Sequence, residues 1–300
     1  MPINLLLLLG LLTILWGYAW IFMKVALHYM GPFTFALFRF AVGSLAMLLI
    51  STLRGKLWPK HGDWLYLALL GFFQTTLTFT LLMYGMVFVS AGKSSVLLYT
   101  MPIWSMVLAY FFLGEKITGR KIGSLILGSG GLLLILGLDI LFQQNLKVII
   151  GECLIILGAL AWGAANIIIK KRFTAHDKLL ISTWQMVFGT VGIAVPTLAV
   201  EWGRPVVFAP LSVISILFCG VLASAFCFTA WFIILSKIDT TVASVSLMFV
   251  PVIAVFLGWL HLNEEINAGM IGGALLISAS VYLASVQKKD DLKQTDKDTT

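Results

Sequence analysis

Ten stretches of about 20 mostly apolar residues follow one another along this 300-residue chain, and they limit its possible folds more than any other feature. The hydrocarbon core of a bilayer is about 30 Å thick, so a helix that rises about 1.5 Å per residue crosses it in about 20 residues. Hydrophobic residues make up 60% of the chain and charged residues 11%, whereas a soluble domain is typically about 25% charged. The pattern predicts an all-α integral membrane protein with ten transmembrane helices. The predicted helices are Leu5–Leu27, Phe33–Leu53, Trp64–Val87, Ser94–Leu113, Ile122–Phe142, Val148–Ile169, Leu179–Val200, Leu211–Leu235, Val242–Leu262 and Ala268–Val286.

The basic residues follow alternate loops, which predicts the orientation of the chain. If the ten helices alternate in direction, 15 of the 20 lysine and arginine residues share a side with the N-terminus. Cytoplasmic loops carry such an excess. We therefore expect both termini in the cytoplasm and the chain in the cytoplasmic membrane, with residues 287–300 as a disordered, solvated tail. The same distribution accounts for the net charge of +7 without a nucleic-acid partner.

Residues recur in register between the two halves of the chain. Trp16-Gly17 recurs as Trp162-Gly163, and Lys24 as Lys170, both 146 positions later. Five helices per half is an odd number, so the second copy enters the membrane from the opposite side. This predicts two inverted five-helix repeats, 5–142 and 148–286, a plan that in secondary transporters supports alternating access. Further matches, 149 positions apart, are Gly71 with Gly220, Phe79-Thr80 with Phe228-Thr229, Ser95 with Ser244, Leu98 with Leu247, Pro102 with Pro251, Glu115 with Glu264, and Gly123 with Gly272.

These motifs resemble the EamA-type transporters of the drug/metabolite transporter superfamily. The resemblance implies a ten-helix fold with a central substrate cavity between the halves and no cofactor. It also implies small-metabolite substrates, often amino acids and their derivatives or cationic drugs, and frequent export. Gln185 departs from the pattern, because the second repeat often has a basic residue there. The likeness is carried by Leu15-Trp16-Gly17, Lys24, Pro32, 36–40, Tyr84, 90–93, Pro102, 113–116, Gly151-Glu152, Trp162-Gly163, Pro251 and Glu264.

Arg39 is the leading candidate for substrate binding. It lies about six residues into the second predicted helix, about 9 Å from its outer end. A charge at that depth is costly and often functional, but it also suits an arginine that snorkels or pairs with backbone carbonyls. The other candidates are aromatic or uncharged polar residues for which helix packing is the alternative. The predicted substrate-binding residues are Trp16, Arg39, Gln74, Thr78, Tyr84, Ser95, Tyr99, Trp162, Asn166 and Ser244.

Two further pairs of residues suggest movement and coupling. Pro102 and Pro251 fall inside predicted helices at matching positions, where a proline removes a backbone hydrogen bond and kinks the helix. Each is a candidate hinge or a static kink. Glu152 and Lys24 are candidates for proton or cation coupling, although Glu152 also suits a helix start and Lys24 an interfacial anchor.

The leading hypothesis is a secondary transporter that moves a small molecule across a lipid membrane, as a monomer or homodimer. One alternative is an intramembrane enzyme acting on a lipid-linked substrate, which needs paired carboxylates, a His-Cys set or a metal motif at membrane depth. The four histidines fall in loops or at helix ends, and the three cysteines show no metal-ligand spacing. Another alternative is a lipid or nucleotide-sugar carrier, which favours more cations in the cavity.

Overall fold

The computed structural model describes residues 3–89, 91–136, 145–262 and 268–285, and within these ranges it contains helices and no strand. A 3₁₀ turn, His61–Asp63, begins the third helical segment. Two π-helical stretches, Phe72–Leu77 and Phe218–Phe226, lie inside longer helical segments. The α-helices are α1 (Ile3–Ala26), α2 (Pro32–Leu53), α3 (Trp64–Gly71), α4 (Thr78–Gly85), α5 (Ala91–Leu98), α6 (Met101–Leu113), α7 (Gly119–Leu136), α8 (Leu146–Arg172), α9 (Lys178–Val200), α10 (Pro210–Leu217), α11 (Cys227–Leu235), α12 (Thr240–Ser246), α13 (Phe249–Leu262) and α14 (Ala268–Ser285).

The length and apolar surface of these segments confirm an all-α integral membrane protein. Outward-facing leucine and valine side chains such as Leu45, Val191 and Leu275 are about two-thirds exposed, as lipid contact requires. Two shorter apolar helices, Thr240–Ala254 and Ala268–Ala284, follow the long ones. Within the described ranges, seven segments are long and apolar enough to cross a membrane: Ile3–Ala26, Pro32–Leu53, His61–Gly85, Ser94–Leu113, Leu146–Arg172, Lys178–Val200 and Pro210–Leu235.

Several predictions fall outside the described residues. The predicted fifth helix is seen as far as Leu136, and its remaining residues are not among those described. The same holds for Ser90, Glu264 and the predicted tail, 287–300. The ten-helix count stays a prediction.

The prolines predicted to lie mid-helix instead follow interruptions. The predicted helix Ser94–Leu113 is broken at Tyr99-Thr100, and Pro102 lies in the first turn of α6. The helix around Pro251 is likewise broken just before α13, at 247–248. Proline has no backbone N–H and its ring clashes with a preceding turn, so it is accommodated where a helix begins. The expected kinks are therefore breaks, and they occur at matching positions in the two halves.

Close backbone contacts join α2 and α9 to the helical segments of the opposite half. A Cβ added to Gly220 would lie 2.7 Å from the carbonyl oxygen of Arg39, and one added to Gly71 would lie 2.5 Å from that of Gln185. Gly71 and Gly220 are 149 positions apart, and Arg39 and Gln185 are 146 apart. Glycine at both places lets the backbones touch. The same contact is thus made twice, with the roles of the halves exchanged.

Candidate functional site

A cavity of about 50 Å³ lies between the two halves of the bundle. α1, α2, α4 and the break between α5 and α6 form most of its wall, and α8 and α11 each contribute an aromatic ring. Its wall is apolar and aromatic, with one charged side chain among the residues that line it. The lining residues are Trp16, Ala19, Trp20, Met23, Arg39, Phe79, Leu82, Leu98, Tyr99, Met101, Trp162 and Phe228.

The charged side chain is Arg39, which is 3% exposed. Its Nε donates to the Ser224 hydroxyl at 2.7 Å, and its Nη1 contacts the Met23 sulfur at 3.4 Å. The guanidinium carbon lies 5.1 Å from the ring centre of Phe40 and 5.0 Å from that of Phe79, both cation–π distances. Within the described ranges Arg39 forms no ion pair with a carboxylate. The predicted alternative of pairing with backbone carbonyls is not what these contacts show.

The second π stretch holds the partners of Arg39 and of Trp16. Ser224 lies in it and donates its own hydroxyl hydrogen to the Cys219 carbonyl at 2.7 Å. The Trp16 indole N–H donates to the Ala223 carbonyl at 2.8 Å. A π stretch adds a residue to a turn and displaces backbone groups from their usual partners, and such stretches are frequent at functional sites. Here it fixes two lining residues of the cavity from across the bundle.

The tryptophans of the two repeats meet in the cavity wall. The rings of Trp16 and Trp162 pack edge to face, with centroids 5.7 Å apart, and Phe228 packs against both. The Trp162 ring is buried, and in the part of the chain that the structure describes its indole N–H has no hydrogen-bond partner. Trp162 is therefore a hydrogen-bond donor with unused capacity beside the cavity.

Tyr99 lies at the interruption before α6, where the helix break places its side chain in the cavity wall. The side chain of Trp20 is a second aromatic group in this wall. Both residues line the cavity close to Arg39. The break, which the sequence analysis treated as a kink, thus contributes directly to the site.

Other predicted site residues lie away from this cavity. Asn166 donates to the Ser105 hydroxyl at 3.2 Å and accepts from the Trp231 indole at 3.0 Å, so it links three helical segments. Thr78 donates to backbone carbonyls, including that of Gly158 at 3.2 Å.

The remaining candidates differ in exposure. Gln74 and Ser244 are fully buried, and their side-chain polar atoms have no hydrogen-bond partner within the described ranges. Tyr84 is 42% exposed and stacks on Phe33. Ser95 is half-buried.

Neither of the candidate coupling residues lines the cavity. Glu152 is half-buried near the start of α8, and Lys24 is exposed near the end of α1. Their coupling role, like the hinge role of Pro102 and Pro251, stays a prediction.

Sequence reasoning missed Ser224, Met23 and Trp20. Ser224 is the residue that matches Thr75 at the 149-residue offset. Thr75 donates to the Gln185 side-chain oxygen at 3.0 Å, so the repeat carries the same pairing in both halves. Extending the repeat comparison from identities to pairs of hydroxyl residues would have found Ser224.

A larger cavity of about 490 Å³, which we call the vestibule, opens where α1 ends and α2 begins. Met83 lies in its wall, directly after the central-cavity residue Leu82. Its wall combines methionine and other apolar side chains with two basic ones. The lining residues are Leu27, His28, Tyr29, Met30, Gly31, Pro32, Met83, Met86, Val87, Arg204, Pro205 and Val207.

A group of ion pairs, which we call the clasp, joins the two halves at the loops that follow α6 and α11. Lys121 contacts Asp239 at 2.8 Å, and Lys170 contacts Glu115 at 3.5 Å. Glu115 also accepts from the Thr240 backbone N–H at 3.0 Å. Burial alone would raise the pKa of Asp239, but the hydrogen bond from Lys121 and its positive charge outweigh burial and lower it. With its pKa lowered, Asp239 is ionised throughout the neutral range and can pair with Lys121.

Comparison with known proteins shows the family to which this chain belongs. The model of the EamA-like transporter family matches residues 3–137 and 149–286. YoaV of Bacillus subtilis (strain 168), named an uncharacterized transporter, is 36% identical over 272 residues, 90% of this chain and 93% of YoaV. A protein of Streptantibioticus cattleyicolor, named a probable terminal-alkyne amino-acid exporter, is 26% identical over 92% of this chain and 91% of its own length. A solved crystal structure with a TM-score of 0.79 and 15% identity covers 94% of this chain and 97% of its own, and shows a shared fold. The chain therefore belongs to the EamA-like transporter family and is a multi-pass membrane transporter rather than an enzyme.

Proposed function

We propose that this protein is a secondary transporter that carries small organic solutes through the central cavity by alternating access. The observation that carries the proposal is Arg39, a buried guanidinium in a cavity between the halves, without a carboxylate partner among the described residues. An unpaired buried charge is costly, and in membrane proteins such charges usually face a substrate or ion path.

Alternating access requires two halves that can rock against each other, and several observations support such a plan. The family model matches both halves. The two π stretches, the two helix breaks and the paired glycine contacts all recur at matching positions. We propose two inverted five-helix repeats, 5–142 and 148–286, and ten transmembrane helices in total.

The positions of the clasp and the vestibule support a transport path that is closed at one end of the bundle and open at the other. If the basic loops mark the cytoplasm, the clasp closes the cytoplasmic end, and the vestibule opens to the outside. Opening inward then requires the Lys121–Asp239 and Lys170–Glu115 pairs to separate, because each joins one half to the other. Both termini lie in the cytoplasm in this arrangement.

The substrates proposed first are amino acids or their derivatives, moved outward, and drug-like amphiphiles are the second class. The amino-acid exporter among the relatives supports the first class and the direction. A nucleotide sugar, with at least two negative charges on its diphosphate, is matched poorly by a single guanidinium. The proposed partners are a small-molecule substrate and the membrane lipid, and the transporter acts as a monomer or a homodimer. No nucleic acid takes part.

Flux into proteoliposomes tests the proposal. The purified chain is reconstituted and offered radiolabelled amino acids, organic acids, amines and sugar phosphates, with and without a pH gradient. Saturable flux of at least one solute above protein-free liposomes is expected, and trans-loading with the same solute should accelerate it. The absence of flux for every solute, together with chemical turnover of a lipid, would contradict the proposal.

A further inference from the structure

We infer that the central cavity selects molecules with one carboxylate on an apolar, preferably aromatic body, and rejects amines of the same shape. This inference rests on the proposed transport function and names the charge class of its substrate. It departs from a site for cationic drugs, which the family resemblance would equally allow.

The charge of the cavity wall is the first argument. Among the 12 residues that line it, Arg39 is charged and none is Asp or Glu. At a depth where water does not screen charges, an amine beside Arg39 would be repelled with nothing to offset the repulsion. A carboxylate would instead neutralise the one buried charge of the wall.

The hydrogen bonds of Arg39 are the second argument. A guanidinium carries five N–H donors, and here its protein acceptors are the Ser224 hydroxyl and the thioether of Met23. A thioether is a weak acceptor, so a carboxylate that replaced it would gain a charge-assisted hydrogen bond. The Ser224 bond holds Nε and thereby fixes the plane in which such a carboxylate would approach.

The rest of the wall is chemically suited to the body of such a molecule, although the cavity must widen from its present volume of about 50 Å³ to admit it. Trp16, Trp162, Phe79 and Phe228 present aromatic surface, and the Trp162 N–H is a second donor without a partner in the described part of the chain. The site therefore offers donors to a carboxylate and no fixed anion to an ammonium group.

The vestibule also has an arginine, Arg204, in its wall, and this is an independent argument. Its 12 lining residues include His28 and Arg204 and no carboxylate. The nearby Glu201 is 4% exposed and is engaged at the start of α2, where it accepts from the Thr34 backbone N–H at 2.7 Å. A solute that enters through the vestibule therefore passes His28 and Arg204 before Met83, and it reaches Arg39 in the central cavity beyond it.

Three compounds with the same phenylethyl body test the inference: 3-phenylpropionate, L-phenylalanine and phenethylamine. Binding to the wild-type protein is measured in detergent at pH 7.5 by tryptophan fluorescence, and flux is measured in proteoliposomes. The expected order is the acid first, the zwitterion several-fold weaker, and the amine undetectable. Equal or tighter binding of the amine, or a tenfold preference for phenylalanine over the acid, would overturn the inference.

The arginine is tested by Arg39→Gln, which installs the amide that the second half carries at Gln185. Loss of a charged hydrogen-bond partner should weaken acid binding on the order of 10–100-fold. Acid binding by Arg39→Lys should be intermediate between that of the wild type and that of Arg39→Gln, because lysine keeps the positive charge but lacks the planar, bidentate hydrogen-bonding geometry of the guanidinium. Arg54→Gln is the matched control, since Arg54 is 47% exposed and pairs with Asp177 at 3.5 Å far from the cavity. A folded Arg39→Gln protein that binds the acid within about twofold of the wild type overturns the inference.

The experiments distinguish a failure of the inferred charge preference, called the charge rule below, from a failure of the proposed transport function. Flux of the amine without flux of the acid contradicts the charge rule and leaves a transporter. Binding of the acid without flux of any compound supports the charge rule and contradicts transport. If Arg39→Gln does not fold, the order of the three compounds on the wild-type protein decides the inference alone.

Discussion

Arg39 in α2 and Gln185 in α9 occupy matching positions of the two halves, yet they differ in what surrounds them. Each is buried, each is bonded to a hydroxyl in a π stretch of the opposite half, and each has its carbonyl oxygen against a glycine there. Arg39 lines the central cavity between aromatic rings. Gln185 does not line it, and within the described ranges its amide nitrogen has no hydrogen-bond partner.

The comparison separates what the duplicated plan fixes from what one half has specialised. Backbone contacts depend on the absence of a side chain at Gly71 and Gly220, and they are the same in both halves. Charge depends on a single side chain, and of the two matching positions only Arg39 carries one. If the cavity binds substrate as proposed, a solute there meets the cation and most of the aromatic wall from the first half, and two rings, Trp162 and Phe228, from the second.

The largest expected effect is on flux, from Arg39→Gln. The substitution makes the two positions alike, and transport of the preferred acid should fall about 100-fold or more if the guanidinium is used in both binding and translocation. Folded yield and the melting temperature in detergent should change far less than flux. Equal losses of folded protein and of flux would instead assign Arg39 to the architecture.

The next effect is on stability, from Gly71→Ala and Gly220→Ala. Each new methyl group would lie 2.5–2.7 Å from a backbone carbonyl of the opposite half, and both substitutions should destabilise by about 1–3 kcal/mol. Gly10→Ala is the control, because a Cβ there has no atom within 4 Å. Thermal unfolding in detergent measures all three, and markedly unequal shifts for Gly71 and Gly220 would break the proposed equivalence of the halves.

A smaller effect distinguishes the two hydroxyl partners. Ser224→Ala removes the acceptor that orients the guanidinium but leaves its charge, so it should raise the KM for the acid about 3–10-fold, the equivalent of about 1 kcal/mol. Thr75→Val removes the bond to Gln185 and should leave KM unchanged, because that pair does not line the cavity. A KM effect of Thr75→Val as large as that of Ser224→Ala would indicate that the second half also contacts the substrate through this pair.

The sequence predicted the helices because hydropathy is local: the described part of every predicted run is mostly helical, apart from a residue or two at some ends and the breaks at Tyr99-Thr100 and 247–248. It predicted Arg39 and Trp16 at the cavity because a charge at depth and a Trp-Gly pair are unusual in a membrane helix. It did not predict the partners of Asn166, because Ser105 and Trp231 lie on other helical segments 61 and 65 positions away. It also missed Ser224, 185 positions from Arg39. Side-chain partners over such separations are set by packing, which a single sequence does not encode locally.

The smallest expected effect comes from Gln185→Leu, which removes the polar group that the second half retains. Its amide nitrogen is buried without a partner in the described part of the chain, whereas its oxygen accepts from Thr75 at 3.0 Å. Leucine abolishes the unsatisfied amide donor, which is favourable, but it takes the acceptor from the buried Thr75 hydroxyl, which is unfavourable by a similar amount, so stability should change by less than about 1 kcal/mol. Flux of the acid should stay within about twofold of the wild type, measured in the same proteoliposomes as Arg39→Gln. A tenfold loss of flux in a stable Gln185→Leu protein would show that the second position also handles substrate, in the state that opens the cavity on its side, and the contrast with Arg39 would then be one of charge alone.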